Sequence, residues 1–240
     1  MMRRGLVALG ALLPGAAMAQ ALSPEQRAEV LQLMRQTLRE DPSILREAMA
    51  GLEQSEQAER ATAQTRAIAQ YSEALFRDAG DPVKGNPQGT VTLVEFFDAR
   101  CGYCKQLHPA TDQLLQRERD VRIVLKDLPI LGPSSVVASR MLLAAQRQGQ
   151  YVPLYDALMR LREEPGEAVL RREADRLRLD WARLRRDMED PAIQARITRN
   201  LELARGLDIQ GTPALIIGTT MVPGAINLAE LQRLTAAQRG

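Results

Sequence analysis

The chain is poor in the cysteine and histidine ligands of a structural zinc site. Its 240 residues contain two cysteines and one histidine, His108, whereas a structural zinc site draws four ligands from such side chains. That count argues against zinc held within one chain. Surplus charge is absent as well. Residues 1–19 read as a secretory signal peptide: Arg3 and Arg4 form a positive start, Gly5 to Ala16 an apolar stretch, and Ala17-Met18-Ala19 a small-residue cleavage site. Cleavage after Ala19 takes two arginines from 32 basic residues and nothing from 30 acidic ones, so the mature chain is formally neutral. Nucleic-acid or anionic-membrane binding driven by overall charge is thereby disfavoured. The arginines between Arg160 and Arg205 are interleaved with Glu163, Glu164, Glu167, Glu173, Asp175, Asp187 and Glu202, the pattern of a solvated helical face. A long hydrophobic run is the third absence. The leader falls short of the ~20 residues a membrane span needs and is interrupted by Pro14, and no later segment comes closer.

What is present divides into two textures. From Ala21 to about Leu75 the sequence is rich in helix formers. Ser23-Pro24-Glu25-Gln26 supplies a cap, a proline at the first helical position and a glutamine three residues after the cap. Leu31, Met34 and Leu38 then form one apolar stripe, and Ile44, Leu45, Ala48, Met49 and Leu52 a second beyond Asp41-Pro42. Short helices are marginal alone, so these stripes need a partner surface, either the main domain or copies of themselves. Glu53 to Gln70 is polar and Ala-rich and suits an exposed helical linker. Breakers at Asp81-Pro82, Gly85 and Asn86-Pro87 predict a boundary near residues 76–88.

After the breakers, Val91 to Phe97 is an apolar run of strand length. Cys101 to about Gln116 reads as a helix and Val121 to Leu125 as a second strand, together a βαβ unit. A helical block follows from Pro133 to about Gly206. Strand texture returns at Ala214 to Ile217 and Thr219 to Val222, and Asn227 to Glu230 has the cap spacing of a final helix.

Both cysteines lie in Cys101-Gly102-Tyr103-Cys104, at the junction of the first core strand and a helix. A cysteine there faces unpaired backbone N–H groups and the positive end of a helix dipole, which favour thiolate over thiol. A disulfide across two intervening residues closes too small a loop to restrain much chain, so a purely structural bridge is a poor reading. Reversible redox chemistry fits better, with Cys101 as nucleophile and Cys104 as resolving thiol. Copper(I) binding by two soft thiolates stays open. Glu95 is the odd residue of the buried strand: it needs a partner, with Lys126 one candidate, or it carries a proton.

The CGYC motif after the strand Val94-Glu95-Phe96-Phe97-Asp98, the helical block, and Gly211-Thr212-Pro213 before the returning strand resemble the thioredoxin superfamily, and within it the DsbA-like proteins. The resemblance covers about residues 81–240. It implies an α/β thioredoxin fold with an inserted helical domain at about 133–206, within a domain at 77–240 preceded by a helical stalk and linker at 20–76. It also implies that Glu95 lies beneath the cysteines and assists proton transfer, and that Pro213 is a cis-proline facing the motif. Thr212 would then present its backbone to an extended substrate and its hydroxyl to Cys101. Gly102 and Tyr103 would tune Cys101, Pro109 would match the kink proline of the helix, and His108 is expected on the surface outside the site.

Gly-Tyr between the cysteines and Thr before the proline resemble the disulfide isomerases DsbC and DsbG, whereas DsbA oxidases commonly carry Pro-His and Val. A helical stalk joins subunits in the isomerases and in the oligomeric ScsC-like proteins. The expectation is therefore a periplasmic disulfide isomerase or reductase, dimeric or trimeric through its N-terminal helices. Its partners would be unfolded or misfolded secreted proteins with cysteines, a membrane redox protein of DsbD or DsbB type, and further copies of itself. No cofactor is expected beyond the Cys101–Cys104 pair itself. A DsbA-like oxidase, and a copper-binding or holdase protein of ScsC type, are the alternatives.

Overall fold

The computed structural model describes residues 22–239; the leader read at 1–19 lies outside them. The chain forms two compact units divided between Gln57 and Ala58. Helix α1 is Pro24–Glu40 and α2 is Ser43–Gln70. At the start of α1 the Ser23 side chain accepts from the Gln26 backbone, while the Gln26 side chain accepts from the Ser23 N–H at 2.9 Å, a reciprocal cap. The residues read as a second short helix and a separate linker form one helix of 28 residues. Along 22–57 the large apolar side chains stay in solvent: Leu33 is 63% exposed, Met34 54%, Leu45 53% and Leu52 61%.

The second unit adds α3 (Ser72–Phe76), β1 (Val83–Gly85), β2 (Val91–Phe97), α4 (Gly102–Arg117) and β3 (Val121–Asp127). Next come α5 (Pro133–Gln146), α6 (Tyr151–Arg160), α7 (Glu167–Arg176), α8 (Trp181–Met188) and α9 (Pro191–Gly206), then β4 (Ala214–Ile217), β5 (Thr220–Pro223) and α10 (Leu228–Ala236). The sheet order is β1-β3-β2-β4-β5. β2 and β3 run parallel, as a strand–helix–strand crossover requires, and the other neighbours are antiparallel. This is a thioredoxin fold with five helices inserted between β3 and β4. The short β1 occupies the segment read as a boundary: Val83, Lys84 and Gly85 pair with β3, and Gly85 has a φ of +92°, which suits a residue without a Cβ.

Strand alternation sends the apolar residues of the sheet to two faces. Leu93, Phe97 and Leu125 pack with α4, α5 and α6, while Val94, Phe96 and Val124 pack with Ile68, Leu75, Leu203 and Leu207. Ile68 is 2% exposed and Leu75 is fully buried. The stretch read as an exposed linker is mostly exposed, and only Ile68 is buried in it, joining the core of the second unit from the last turn of α2. Ile68 from α2 and Leu75 from α3 cover this sheet face together with Leu203 of α9 and Leu207 at its C-cap; each such side chain contributes about 2 kcal/mol when fully buried.

Candidate active site

Where β2 ends, a buried carboxylate builds the turn. Asp98 accepts from the backbone N–H of Arg100, Ile130 and Leu131 at 2.8, 2.9 and 3.0 Å and from Ser135 Oγ at 2.8 Å. Its own carbonyl accepts the Cys101 N–H at 3.0 Å. Four donors satisfy the carboxylate and tie the cysteine loop to the β3–α5 connection. Cys101 is thereby set as the N-cap of α4, in extended conformation and without a side-chain cap bond. Tyr103 points outward, 66% exposed, whereas Cys104 is fully buried one turn into the helix.

From the far end of the inserted block, the Thr212–Pro213 peptide, which is cis, meets the motif. Cys101 Sγ lies 3.1 Å from the Thr212 carbonyl oxygen, to which the protonated thiol donates. The thiolate finds better company. A hydrogen bond from the Cys104 thiol, helped by the Thr212 side chain and by the backbone N–H groups of Cys104 and Tyr103, outweighs burial and brings the Cys101 pKa down to about 5. Cys104 moves the opposite way, well above its ordinary value. Burial is the main cause, followed by its hydrogen bond to Cys101 and the nearby Glu95 charge.

Glu95 is 1% exposed, on the sheet face that carries Phe97 and Leu125. Burial pushes its pKa up to about 7, against the Tyr155 hydrogen bond and the Lys84 charge, which favour the carboxylate. Tyr155, on α6, donates its hydroxyl toward both carboxylate oxygens, at 3.2 and 3.1 Å. Lys126 is not its partner. In the parallel register Glu95 stands beside Leu125 and Phe96 beside Lys126, so the lysine points to the other face. There it bonds Asp81 and, at 2.6 Å, the Ala74 carbonyl. The period-two alternation of β3 decides this outcome, since Glu95 and Lys126 have opposite parity across the register.

His108 is not on the surface either. It is 2% exposed, with Nε2 2.9 Å from Asp156 Oδ1 and 3.3 Å from Lys84 Nζ. Lys84 also bonds Asp112 and Asp156. The His108, Asp112 and Asp156 ligand atoms are near enough to hold a metal ion, but the Lys84 ammonium already supplies the cation among them. Of the residues expected at the site, the structure brings together Cys101, Cys104, Thr212, Pro213 and Glu95, with Gly102 and Tyr103 at the mouth. Tyr155, Lys84 and Asp98 are additions. Tyr155 sits in the apolar stripe of Tyr151, Leu154 and Leu158, where a phenol needing a partner is the one sequence signal.

Residues 92–236 match the model of the DSBA-like thioredoxin domain. A thioredoxin-like oxidoreductase from Silicibacter pomeroyi is 38% identical, with a TM-score of 0.68 over 70% of this chain and 96% of that one. Proteus mirabilis ScsC, in a transitional conformation, is 33% identical, with a TM-score of 0.67 over 91% of this chain and 97% of its own. Among curated sequences, the Na(+)/H(+) antiporter NhaA 3 of Salinispora tropica is 33% identical over 153 residues, 63% of this chain and 24% of that protein. The chain thus spans about a quarter of the length of the curated relatives it matches. With the domain match covering more than half the chain and the cysteine pair set at the head of α4, the protein belongs to the DSBA-like thioredoxin domain family.

Proposed function

We propose that the protein performs thiol–disulfide exchange on secreted proteins in the periplasm, working mainly as a disulfide isomerase or reductase. The asymmetry of the two thiols carries the exchange reading, and Gly102-Tyr103 between the cysteines, Thr212 before Pro213 and the N-terminal helices incline it toward isomerase. Cys101, as thiolate, attacks a substrate disulfide; one substrate sulfur leaves as a thiolate and the other stays bonded to Cys101. Cys104 keeps its proton until needed, then passes it to Glu95 and attacks Cys101. The Cys101–Cys104 bond forms, the mixed disulfide breaks, and the second substrate sulfur leaves reduced. Reshuffling results when a substrate thiol releases the mixed disulfide instead. Pro213 and the Thr212 backbone offer an extended segment alongside Cys101 for the substrate peptide.

The exposed apolar side chains of α1 and the first half of α2 support a homodimer or homotrimer formed through these helices. Several active sites would then surround one substrate. No helix among the described residues is long and apolar enough to cross a membrane. Electrons would come from a membrane partner of DsbD type. A second reading, a DsbA-like oxidase recharged by a DsbB-type partner, is favoured by one observation, the depression of the Cys101 pKa to about 5. A thiolate that stable makes the disulfide a better oxidant.

Assays of insulin reduction and of reactivation of scrambled ribonuclease separate the two readings. The isomerase reading expects both activities in the wild type and neither in Cys101→Ser. Rapid oxidation of reduced ribonuclease without reshuffling would support the oxidase, and stoichiometric copper(I) binding with no exchange would overturn both.

A further inference from the structure

Tyr155 is fully buried and its ring is fixed from several sides. Phe97 meets it edge-on at 4.9 Å between centroids, the His108 ring lies at 5.6 Å, and Lys84 Nζ stands 5.3 Å from its centroid. The hydroxyl is aimed between the two oxygens of Glu95, with no preference for either. A phenol differs from an ammonium in one respect that matters here. It donates to a carboxylate, and it also accepts from a carboxylic acid. A lysine beside Glu95 would favour only the charged state, whereas Tyr155 has a bond to make in both.

We propose that Tyr155 is the positioning residue for proton exchange between Glu95 and Cys104, holding the Glu95 carboxyl in place through both of its protonation states. The proposal rests on the exchange mechanism above and adds a residue to it. Charged and titratable groups approach this pair from every packed element: Lys84 from β1, Asp98 from the turn after β2, Cys101, His108 and Asp112 from α4 and its N-cap, Tyr155 and Asp156 from α6. Among them, only Tyr155 makes a hydrogen bond to Glu95. Its bond to the carboxylate is the stronger of its two, because the acceptor is charged. Losing the hydroxyl therefore penalises the ionised form more, and Glu95 should take up its proton at higher pH.

The same helix provides a control. One turn earlier, Tyr151 donates to a different buried carboxylate, Asp127, at 2.6 Å. Asp127 pairs in register with Phe97, and the side chains that act on its carboxyl are Tyr151, Ser139 and Arg196 rather than Glu95 or a cysteine. Tyr151→Phe thus removes an equivalent hydroxyl from the same packing environment and spares Glu95.

The test mixes reduced protein rapidly with oxidised glutathione and follows both steps by acid quench as a function of pH. In the second, Cys104 displaces glutathione thiolate from Cys101 and the Cys101–Cys104 disulfide forms. Tyr155→Phe should move the acid limb of this second step up by about one pH unit, making resolution about tenfold slower below the limb and unchanged well above it. The first step should keep its profile, and Tyr151→Phe should leave both limbs in place. Should Tyr155→Phe fold poorly, 3-fluorotyrosine at position 155, a stronger donor of the same shape, should move the limb the other way. A limb that stays put in Tyr155→Phe and with fluorotyrosine, or one that Tyr151→Phe shifts equally, overturns the proposal. Wild-type protein that fails to react with glutathione at any pH would instead sink the exchange mechanism on which it rests.

Discussion

Cys101 Sγ and the Thr212 carbonyl oxygen stand 3.1 Å apart, although 111 residues separate them in sequence. The contact closes the site: the cysteine comes from the head of α4, the threonine from the approach to β4, and β2 lies next to β4 in the sheet. A thiol can donate to that carbonyl but a thiolate cannot. The Thr212 side chain acts in the opposite sense and favours the thiolate.

Replacing Thr212 with valine keeps the backbone contact and the shape while removing the hydroxyl. The Cys101 titration, followed by ultraviolet thiolate absorbance, should then rise above its wild-type midpoint near 5 by up to about one unit. An unchanged midpoint would leave the Cys104 hydrogen bond and the helix N-terminus as the whole cause.

Glu95 gives stability a pH dependence whose sign is fixed. Its pKa is raised on folding from 4.5 to about 7, so within that window the folded chain holds a proton that the unfolded chain has lost. Stability therefore falls as pH rises through the window, by about 3 kcal/mol from this group for a shift from 4.5 to about 7. In Glu95→Gln that component should disappear. Urea unfolding at several pH values should show the variant gaining on the wild type from acid to neutral pH, and parallel curves would contradict the assigned cause.

Much of the fold and the centre of the site are legible in the amino-acid sequence. The apolar run Val91 to Phe97 and the cap chemistry of Ser23 and Asn227 correspond to real elements because each is a local signal: strand-length burial in one case, side-chain oxygens accepting from the first helical turn in the others. The partner of Glu95 is not legible there. Tyr155 reaches it across 60 residues, and no spacing rule connects an inserted helix to a central strand. His108 misleads for a related reason, since a polar residue on an amphipathic helix reads as exposed until a buried lysine and two carboxylates surround it.

Lys126 and Asp81 form a buried ion pair on the sheet face away from the cysteines. Lys126→Met should cost about 3 kcal/mol by leaving Asp81 with Arg196 alone, while the pH profile of glutathione exchange stays in place. A shifted profile would mean that Lys126 does reach Glu95 electrostatically.

Deletion of residues 22–57 should yield a soluble monomer that reduces insulin at the wild-type rate but reshuffles scrambled ribonuclease poorly, as light scattering and the two assays would report. Deletion through residue 70 should be less stable by about 2 kcal/mol, because it removes the buried side chain of Ile68. If the shorter deletion remains oligomeric, these helices are not the subunit junction.

The direction of electron flow is tested most directly in cells, by acid quenching followed by alkylation of Cys101 and Cys104 with a mass-shifting reagent. A disulfide isomerase or reductase should be trapped predominantly as the dithiol, with both cysteines labelled, and should shift to the disulfide when the DsbD-type electron donor proposed for it is removed. A Cys101–Cys104 disulfide that persists with that donor present would contradict the account and make the protein an oxidase.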